Sequence, residues 1–106
     1  MTESSDLLDH VFTAPIGVEV RGDLWPCVEV PGSAELLGTR RAVRVDATVD
    51  DVRISDMGLM VTGRGGHMLS LSAKVRQRLG KELGDTVTVR LERRLPPKGQ
   101  RAGSAR

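Results

Sequence analysis

Few residues of this chain could carry covalent or metal chemistry. The 106 residues include one cysteine, Cys27, two histidines, His10 and His67, and no tyrosine. Because protein Zn²⁺ sites are built mainly from several Cys and His ligands, this count nearly excludes them. A nucleophile pair of Cys27 and His67 stays open, although no flanking signature accompanies it and a cysteine in a β-strand is usually inert packing. We therefore expect a protein that is not an enzyme and has no cofactor.

The neighbouring carboxylates Asp50 and Asp51 form a second group that could be reactive. They stand between two runs of alternating apolar residues, which is typical of a hairpin turn. A metal site or an acid–base pair would need further ligands, and none is apparent in the sequence. The pattern favours the turn.

Basic residues are concentrated in the later part of the chain. Residues 1–35 hold seven acids and one base, whereas residues 36–106 hold fifteen bases and seven acids. This asymmetry favours either an anionic partner for the basic part or contact between the two parts. Aromatic residues for stacking on single-stranded bases are almost absent, so the nucleic-acid hypothesis is duplex DNA bound through its phosphates. Its candidate contacts are Arg64, Lys74, Arg78, Lys81, Arg93 and Arg94.

A cleft for a small molecule or a protein partner is the second hypothesis, and we rank it slightly ahead of DNA. Its candidate residues are Trp25, Arg41, His67 and Arg76. Trp25 either lines this cleft or, as is more usual for a single tryptophan, packs in the core. The oligomeric state expected with either hypothesis is a monomer or a weak homodimer.

The segment Thr62-Gly63-Arg64-Gly65-Gly66 permits two interpretations. Its glycine N–H groups and Arg64 could bind an anion. It lacks the Gly-Lys-Ser/Thr ending of a P-loop, however, and precedes a strand rather than a helix. A plain hairpin connection is the preferred interpretation.

The elements that would position these residues are clearest between Gly66 and Glu92. The pattern predicts a strand over His67 to Leu71, an N-cap at Ser72, a short helix over Ala73 to Leu79 that ends at Gly80, and a strand with Val87, Val89 and Leu91 inward. The same order occurs earlier, with a strand over residues 27–30, a helical turn over 34–37 that ends at Gly38, and a strand of alternating valines. A strand-helix-strand unit used twice predicts a mainly β barrel with pseudo-twofold symmetry, capped by two short helices.

Further strands are predicted outside this repeat. Alternation from His10 to Val20 indicates a first strand, with Pro15 and Gly17 marking an edge or a bulge. After a turn at residues 21–23, a second strand covers residues 24–30. A third strand covers residues 40–50, and a fourth begins at Val52 and is interrupted at residues 56–58.

The chain is expected to form one domain over residues 10–92. Residues 1–9 are predicted to be a flexible acidic terminus, and residues 93–106, which carry bases and no acids, a disordered basic tail. No apolar run approaches the length of a membrane span, and the lone cysteine suits a reducing compartment, so we expect a cytoplasmic protein with no membrane contact.

The segment from Leu69 to Leu91 resembles a known half-barrel. Its leucine strand, N-cap, short basic helix, Leu-Gly, Gly-Asp and valine strand are similar to those of AbrB and MazE, in which two chains interlock to bind DNA. This resemblance implies the fold of the segment, and it is one support for the DNA hypothesis.

The region from about residue 10 to residue 92 is more similar to a bacterial family known as domain of unknown function nineteen-oh-five. The resemblance is carried by Phe12, Trp25, the Val30-Pro31 step, Arg40-Arg41-x-Val43-x-Val45 and Gly65-Gly66-His67. Members look like a double-split β-barrel in one chain, sometimes fused to a YdeI-type bacteriocin-protection region. The chain departs from the family at residues 60–63, Met-Val-Thr-Gly, where Met-Pro is usual. The resemblance implies the fold and carries over no catalytic residue.

Overall fold

The computed structural model describes residues 7–96, of which 56% lie in strands. The strands are β1 (Leu7–Pro15), β2 (Val18–Val20), β3 (Asp23–Trp25), β4 (Cys27–Val30), β5 (Val43–Val49), β6 (Val52–Val61), β7 (His67–Ser70) and β8 (Thr86–Leu95), and the helices are α1 (Ser33–Leu37) and α2 (Ala73–Leu79). This composition confirms the prediction of a mainly β fold with two short helices.

Six strands form one antiparallel sheet in the order β1-β8-β5-β6-β7-β4, and β2 pairs with β3 as a separate ribbon. The two edges of the large sheet approach each other near Ile16 and Gly17. The N–H of Gly17 donates to the carbonyl of Cys27, the first residue of β4, at 2.7 Å, and the N–H of Ile16 donates to the carbonyl of Asp85 before β8 at 2.8 Å. The sheet is therefore nearly closed into a small barrel.

The two strand-helix-strand units pair with each other. β4 pairs with β7, and β5 pairs with β8, both antiparallel. Since α1 follows the end of β4 and precedes β5, whereas α2 follows the end of β7 and precedes β8, the helices lie at opposite ends of the barrel. This arrangement matches the predicted pseudo-twofold barrel with a helix at each end.

The caps explain why both helices are short. The hydroxyl of Ser72 accepts the N–H of Val75 at 3.2 Å, and Gly80 ends α2 with a left-handed φ of 70°. Gly38 ends α1 with the same φ, but the N-cap of α1 is Gly32, which offers no side-chain cap. Ser33 follows this N-cap as the first residue of α1, and it is buried.

Branched aliphatic side chains fill the barrel. Phe12 is the aromatic residue among them, and the other fully packed members are Ile16, Val28, Val30, Leu37, Val45, Ala47, Val49, Leu59, Leu69, Leu71, Val87, Val89 and Leu91. A second, smaller cluster of Val18, Cys27 and Met68 lies where the β2–β3 ribbon covers the opposite face of the sheet. Residues 68 and 69 thus belong to different clusters, because successive side chains of a strand point to opposite faces.

Two predicted strands are each divided in the structure. The expected strand from residue 10 to 20 stops at Pro15, and the expected strand from 24 to 30 is interrupted at Pro26. Proline has no N–H for a ladder bond, and Gly17 adopts a φ of 145°. The chain therefore leaves the large sheet at Ile16, forms the ribbon, and re-enters at Cys27. The prediction of an edge strand is correct, since β1 ends the sheet.

The expected interruption of the fourth strand is wrong, because β6 continues from Val52 to Val61. The register changes from Ala47 opposite Ile54 to Val45 opposite Met57, so β6 has one extra residue, and Asp56 there has a φ of 56°. This is a β-bulge, which bends a strand without ending it. The third strand is shorter than expected and runs from Val43 to Val49.

The strands extend beyond both expected domain boundaries. β1 begins at Leu7 rather than at residue 10, and β8 continues to Leu95 rather than ending at 92. The rest of the predicted acidic terminus and basic tail lies outside the described residues. Within residues 7–96, no helix is long and apolar enough to cross a membrane.

The predicted hairpin at Asp50 and Asp51 is present and carries an ion pair. The Lys81 ammonium lies 2.8 Å from the Asp50 carboxylate, which also accepts the N–H of Thr88 at 2.9 Å. The bond to Lys81, followed by that to Thr88, holds the pKa of Asp50 below its ordinary value. The turn thereby connects the end of β5 to the α2 end of the barrel.

Replacing Asp50 with asparagine is expected to remove a pH-dependent part of the stability. Asparagine tolerates the left-handed φ of 54°, so the change removes charge rather than the turn. Because the folded pKa is lowered, the carboxylate stabilises the fold above its unfolded pKa of about 3.9, and the effect is lost as pH falls through the folded value. In urea titrations Asp50→Asn should cost about 1 kcal/mol at pH 7, given that the pair is partly solvated. The difference should shrink below about pH 4. Asp51→Asn is the matched control, and a difference that does not change with pH would contradict the assignment.

Candidate binding site

The sole tryptophan of the chain lies on the β2–β3 ribbon. The ribbon closes through Arg21 and Gly22, which both have the positive φ that a two-residue hairpin turn requires. The ribbon is held on the sheet by packing of Val18 against Cys27 and Met68. This packing fixes Trp25, which is directly opposite Val18 in the ribbon.

Trp25 is exposed rather than buried in the core. Its side chain is 39% accessible, and the neighbouring Val61 is 45% accessible. Together with Arg21 and Arg64 they line a depression of about 560 Å³, which we call the Trp25 depression. The core interpretation of this tryptophan is therefore wrong, and its role in lining a binding cleft stays a prediction.

The glycine-rich segment is a five-residue hairpin connection between β6 and β7, since Val61 is paired with His67. The hydroxyl of Thr62 accepts the N–H groups of Arg64, at 3.1 Å, and Gly66, at 3.3 Å. Gly63 and Gly65 both adopt a left-handed φ. These bonds present Arg64 at a fixed place on the loop.

Arg64 lies between the Trp25 depression and a second one. Its guanidinium donates to the carbonyl of Glu19 at 3.2 Å and to the carboxylate of Glu29 at 3.4 Å, and all three groups are exposed. The second depression, about 480 Å³, is lined by Glu29, Ser33, Gly66 and neighbouring residues, and we call it the Ser33 depression. Arg64 lines both, so one side chain joins the two surfaces.

His67 is completely buried and fully hydrogen-bonded. Its Nε2 lies 2.8 Å from the carbonyl of Arg41, which can only accept, so Nε2 carries the proton. In the neutral ring Nδ1 then accepts the hydroxyl proton of Ser33 at 2.7 Å. The imidazole thus joins β7, the start of α1 and the loop before β5. Ser33 was not predicted from the sequence, where a serine after Pro-Gly is typical of a helix start.

The four residues of the predicted cleft are not brought together. Trp25 lies on the ribbon, His67 is enclosed, and Arg41 approaches His67 only through its carbonyl. Arg76 is at the other end of the barrel, on α2, where it pairs with Glu82 at 2.9 Å. The residue that the structure places beside Trp25 is Arg64, which the sequence indicated only as an anion contact.

The six candidate nucleic-acid contacts are divided between the two ends of the barrel. Lys74, Arg78 and Lys81 belong to α2 or follow it, whereas Arg64, Arg93 and Arg94 lie at the end that carries α1. The ten residues of β8 separate these ends by roughly 30 Å. Lys81 is also paired with Asp50, and Arg94 donates to the carbonyl of Leu37 at 2.7 Å. The set therefore forms no single basic face.

Some of the charges that make the sequence asymmetric are paired with each other within the fold. Arg64 pairs with Glu29, and Arg90 pairs with Asp9 at 2.9 Å, so some basic residues of the later part contact acids of the earlier part. Other arginines pair within the later part, such as Arg44 with Asp56 at 2.6 Å. Contact between the two parts is thus one component of the pattern.

Cys27 and His67 do not form a pair. Cys27 is opposite Ser70, and His67 is opposite Val30, so they lie at different ends of the β4–β7 pairing. Cys27 is 1% exposed, and this burial raises the pKa of its thiol, an effect that a hydrogen bond with Ser70 opposes only in part.

The Cys27 thiol is expected to resist alkylation in the native protein. The thiolate is the reactive form. The raised pKa lowers the fraction of thiolate, and the ribbon above Cys27 restricts access of the reagent to it. Reaction with iodoacetamide at pH 8 should be roughly a hundredfold slower than in denaturing urea, since it requires local opening. Mass spectrometry of quenched samples gives the rate, and native alkylation at the denatured rate would contradict this packing.

No group of three or more His, Cys, Asp or Glu side chains within residues 7–96 is arranged to hold a metal ion.

Among curated proteins, none matches the chain. Residues 12–91 match a family described as "Domain of unknown function (DUF1905)". This match covers most of the barrel, from Phe12 in β1 to Leu91 in β8. By this match the chain belongs to the DUF1905 family.

Proposed function

We propose that this domain is a non-enzymatic partner-binding module and that the Trp25 depression docks an acidic, apolar segment of another protein. The observation that carries the proposal is the position of Trp25, which is held 39% exposed between Arg21 and Arg64. An exposed indole gives up the stabilisation that core burial would provide. Tryptophan and arginine are the residue types that most often dominate the energy of protein interfaces.

The apolar part of the depression supports an apolar anchor on the partner. Trp25 and Val61 together present a partly exposed aromatic and aliphatic surface, and Val20 extends it. Burying such surface is worth roughly 25 cal/mol per Å² before the costs of association. A leucine or phenylalanine of the partner would supply the complementary side chain.

The charged part supports acidic residues beside that anchor. Arg21 and Arg64 bring two positive charges to the depression, and the bond from Arg64 to Glu29 is long at 3.4 Å and exposed. A carboxylate of the partner can replace such a weakly held one and accept two parallel bonds from the guanidinium. The expected partner segment is therefore both acidic and apolar.

Selection from a random peptide library displayed on phage tests this proposal, with the full chain as bait. We expect selected peptides to combine Asp or Glu with Leu, Phe or Trp, and synthetic peptides without tryptophan to change the Trp25 fluorescence. Trp25→Ala should weaken their binding by about thirtyfold or more, as at an interface hot spot. Arg64→Gln should weaken it by about tenfold.

Arg78→Gln is the matched control, since it removes one exposed arginine charge at the far end of the barrel. Equal peptide binding by wild type, Trp25→Ala and Arg64→Gln would overturn the proposal. The DNA hypothesis is separated by fluorescence anisotropy with labelled duplex DNA at two salt concentrations. Binding that falls steeply with salt, and that Arg78→Gln weakens while Trp25→Ala does not, would favour DNA instead.

A further inference from the structure

We propose a second binding site, independent of the Trp25 depression, for an aliphatic monocarboxylate. It is a recess of about 340 Å³ at the end of the barrel that carries α1, where β5, β6 and β8 meet, and we call it the Gly58 notch. Its lining shares no residue with the Trp25 or Ser33 depressions. The volume is at the lower limit of roughly 300 Å³ for small-molecule sites, which suits a compact ligand.

The notch exists because β6 has no side chain at Gly58. Gly58 is directly opposite Arg44, and a Cβ placed on it would meet no atom within 4 Å. Its φ is not in the left-handed region, so the backbone does not require glycine here. Glycine inside a strand costs stability, and it often marks a place where another molecule approaches closely. The recess is the structural consequence of this residue.

The two arginines at the notch differ in how they are neutralised. Arg44 donates from Nε and Nη2 to the Asp56 carboxylate, at 2.7 and 2.6 Å, and from Nη1 to the carbonyl of Pro96 at 2.8 Å. Arg94 is partly buried and donates to one neutral acceptor, the carbonyl of Leu37. No carboxylate among residues 7–96 forms an ion pair with Arg94.

Among residues 7–96, the notch therefore has one positive charge without a counterion, that of Arg94, beside an apolar surface. Partial burial of a charge without a counterion is unfavourable. An anion with two oxygen acceptors would accept two hydrogen bonds from the guanidinium of Arg94 and neutralise its charge. One net charge calls for a monoanion, and a carboxylate matches the planar geometry of the arginine. The charge supplies the orientation of the ligand.

The rest of the lining identifies the body of the ligand. Its partly exposed side chains are aliphatic or thioether, chiefly Val43, Met60 and Leu95, and it includes no aromatic ring. An alkyl chain packs against such a surface without needing a stacking partner. A medium-chain alkyl carboxylate is the class that fits both parts.

Methyl NMR of the full chain with ¹³C-labelled methionine tests the notch with octanoate as the probe. Met60 lines the notch and is directly paired with Met68, which packs under the ribbon and does not line the notch. We expect octanoate to shift the Met60 methyl saturably and by more than the Met68 methyl. Octanol should bind about tenfold more weakly, and octylammonium should give no saturable shift.

Two variants distinguish the contribution of the Arg94 charge from that of the space in the notch. Arg94→Gln should weaken octanoate binding by about tenfold or more and leave octanol binding unchanged. Gly58→Ile should abolish both, because its side chain occupies the notch without steric conflict at Cβ. Arg90→Gln, which removes the same charge from the same strand, should have no effect. An unshifted Met60 methyl would overturn the proposal, and this includes the case in which the chain terminus fills the notch. Equal octanoate binding by wild type and Arg94→Gln would overturn it as well.

Discussion

Replacing His67 with alanine should destabilise the fold by about 3 to 5 kcal/mol. The imidazole is 0% exposed, so its removal leaves a cavity among packed neighbours. It also leaves the hydroxyl of Ser33 and the carbonyl of Arg41 without the partners that they have now. Ser33 is buried, so the loss of its partner contributes about 1 to 3 kcal/mol of this total, whereas Arg41 is exposed and its carbonyl can bond to water instead.

Urea unfolding followed by the fluorescence of Trp25 measures this effect, and a double-mutant cycle assigns it. Ser33→Ala alone leaves Nδ1 of His67 without a donor and should cost about 1 to 3 kcal/mol. In the double variant the two losses should not add, because the shared bond is counted once. Ser55→Ala, an exposed serine on β6, should change stability by less than about 0.5 kcal/mol. A loss below about 1 kcal/mol for His67→Ala would contradict a central role of this histidine.

The elements with strong local signals could be predicted from the sequence. Ser72 and Gly80 bound α2 as the capping rules require, and Val87, Val89 and Leu91 alternate inward along β8. The internal repeat predicted two equivalent strand-helix-strand units, and the structure contains both. These features depend on contacts within a few residues, or on a repeated pattern, and both can be read from one chain.

The divided strands could not be predicted, because their cause lies in distant parts of the chain. Alternation from His10 to Val20 continues unbroken through the point where the strand ends. What ends it is the change of partner at Gly17. Ile16 still bonds Gly84 and Asp85 before the start of β8, whereas the N–H of Gly17 donates to the carbonyl of Cys27. Likewise, Asp56 with Gly58 looked like a break, whereas pairing with β5 accommodates it as a bulge.

Individual residues of the candidate site could be identified from the sequence, but not which of them lie together. Trp25 and Arg64 were both identified, yet they were assigned to different hypotheses, since 38 intervening residues give no sign that the ribbon brings them together. His67 was expected in a cleft with Trp25, Arg41 and Arg76, whereas the structure buries it completely. Its burial depends on Ser33 and Arg41, which approach from a different unit of the repeat.

Leu69 and Met68 are expected to respond differently to truncation, because they pack on opposite faces of β7. Leu69 is 0% exposed inside the barrel and lies opposite Val28 and Leu59 on the flanking strands. Leu69→Ala should therefore cost about 2 to 5 kcal/mol in global stability. Leu7→Ala, at a leucine that is 60% exposed on β1, is the matched control and should cost less than about 1 kcal/mol.

Met68→Ala should instead loosen the ribbon. Met68 packs with Val18 and Cys27 outside the barrel core, so its loss should weaken the attachment of the ribbon more than the barrel itself. Alkylation of Cys27 in the native state should then become at least about tenfold faster, since a loss of 1.4 kcal/mol in local stability has that effect on an opening equilibrium. In Leu69→Ala, both the urea midpoint and the alkylation rate should change, because global unfolding exposes every group. Similar midpoint losses in the two variants would mean that ribbon and barrel unfold as one unit, and that Trp25 is presented by the whole domain rather than by a separable layer.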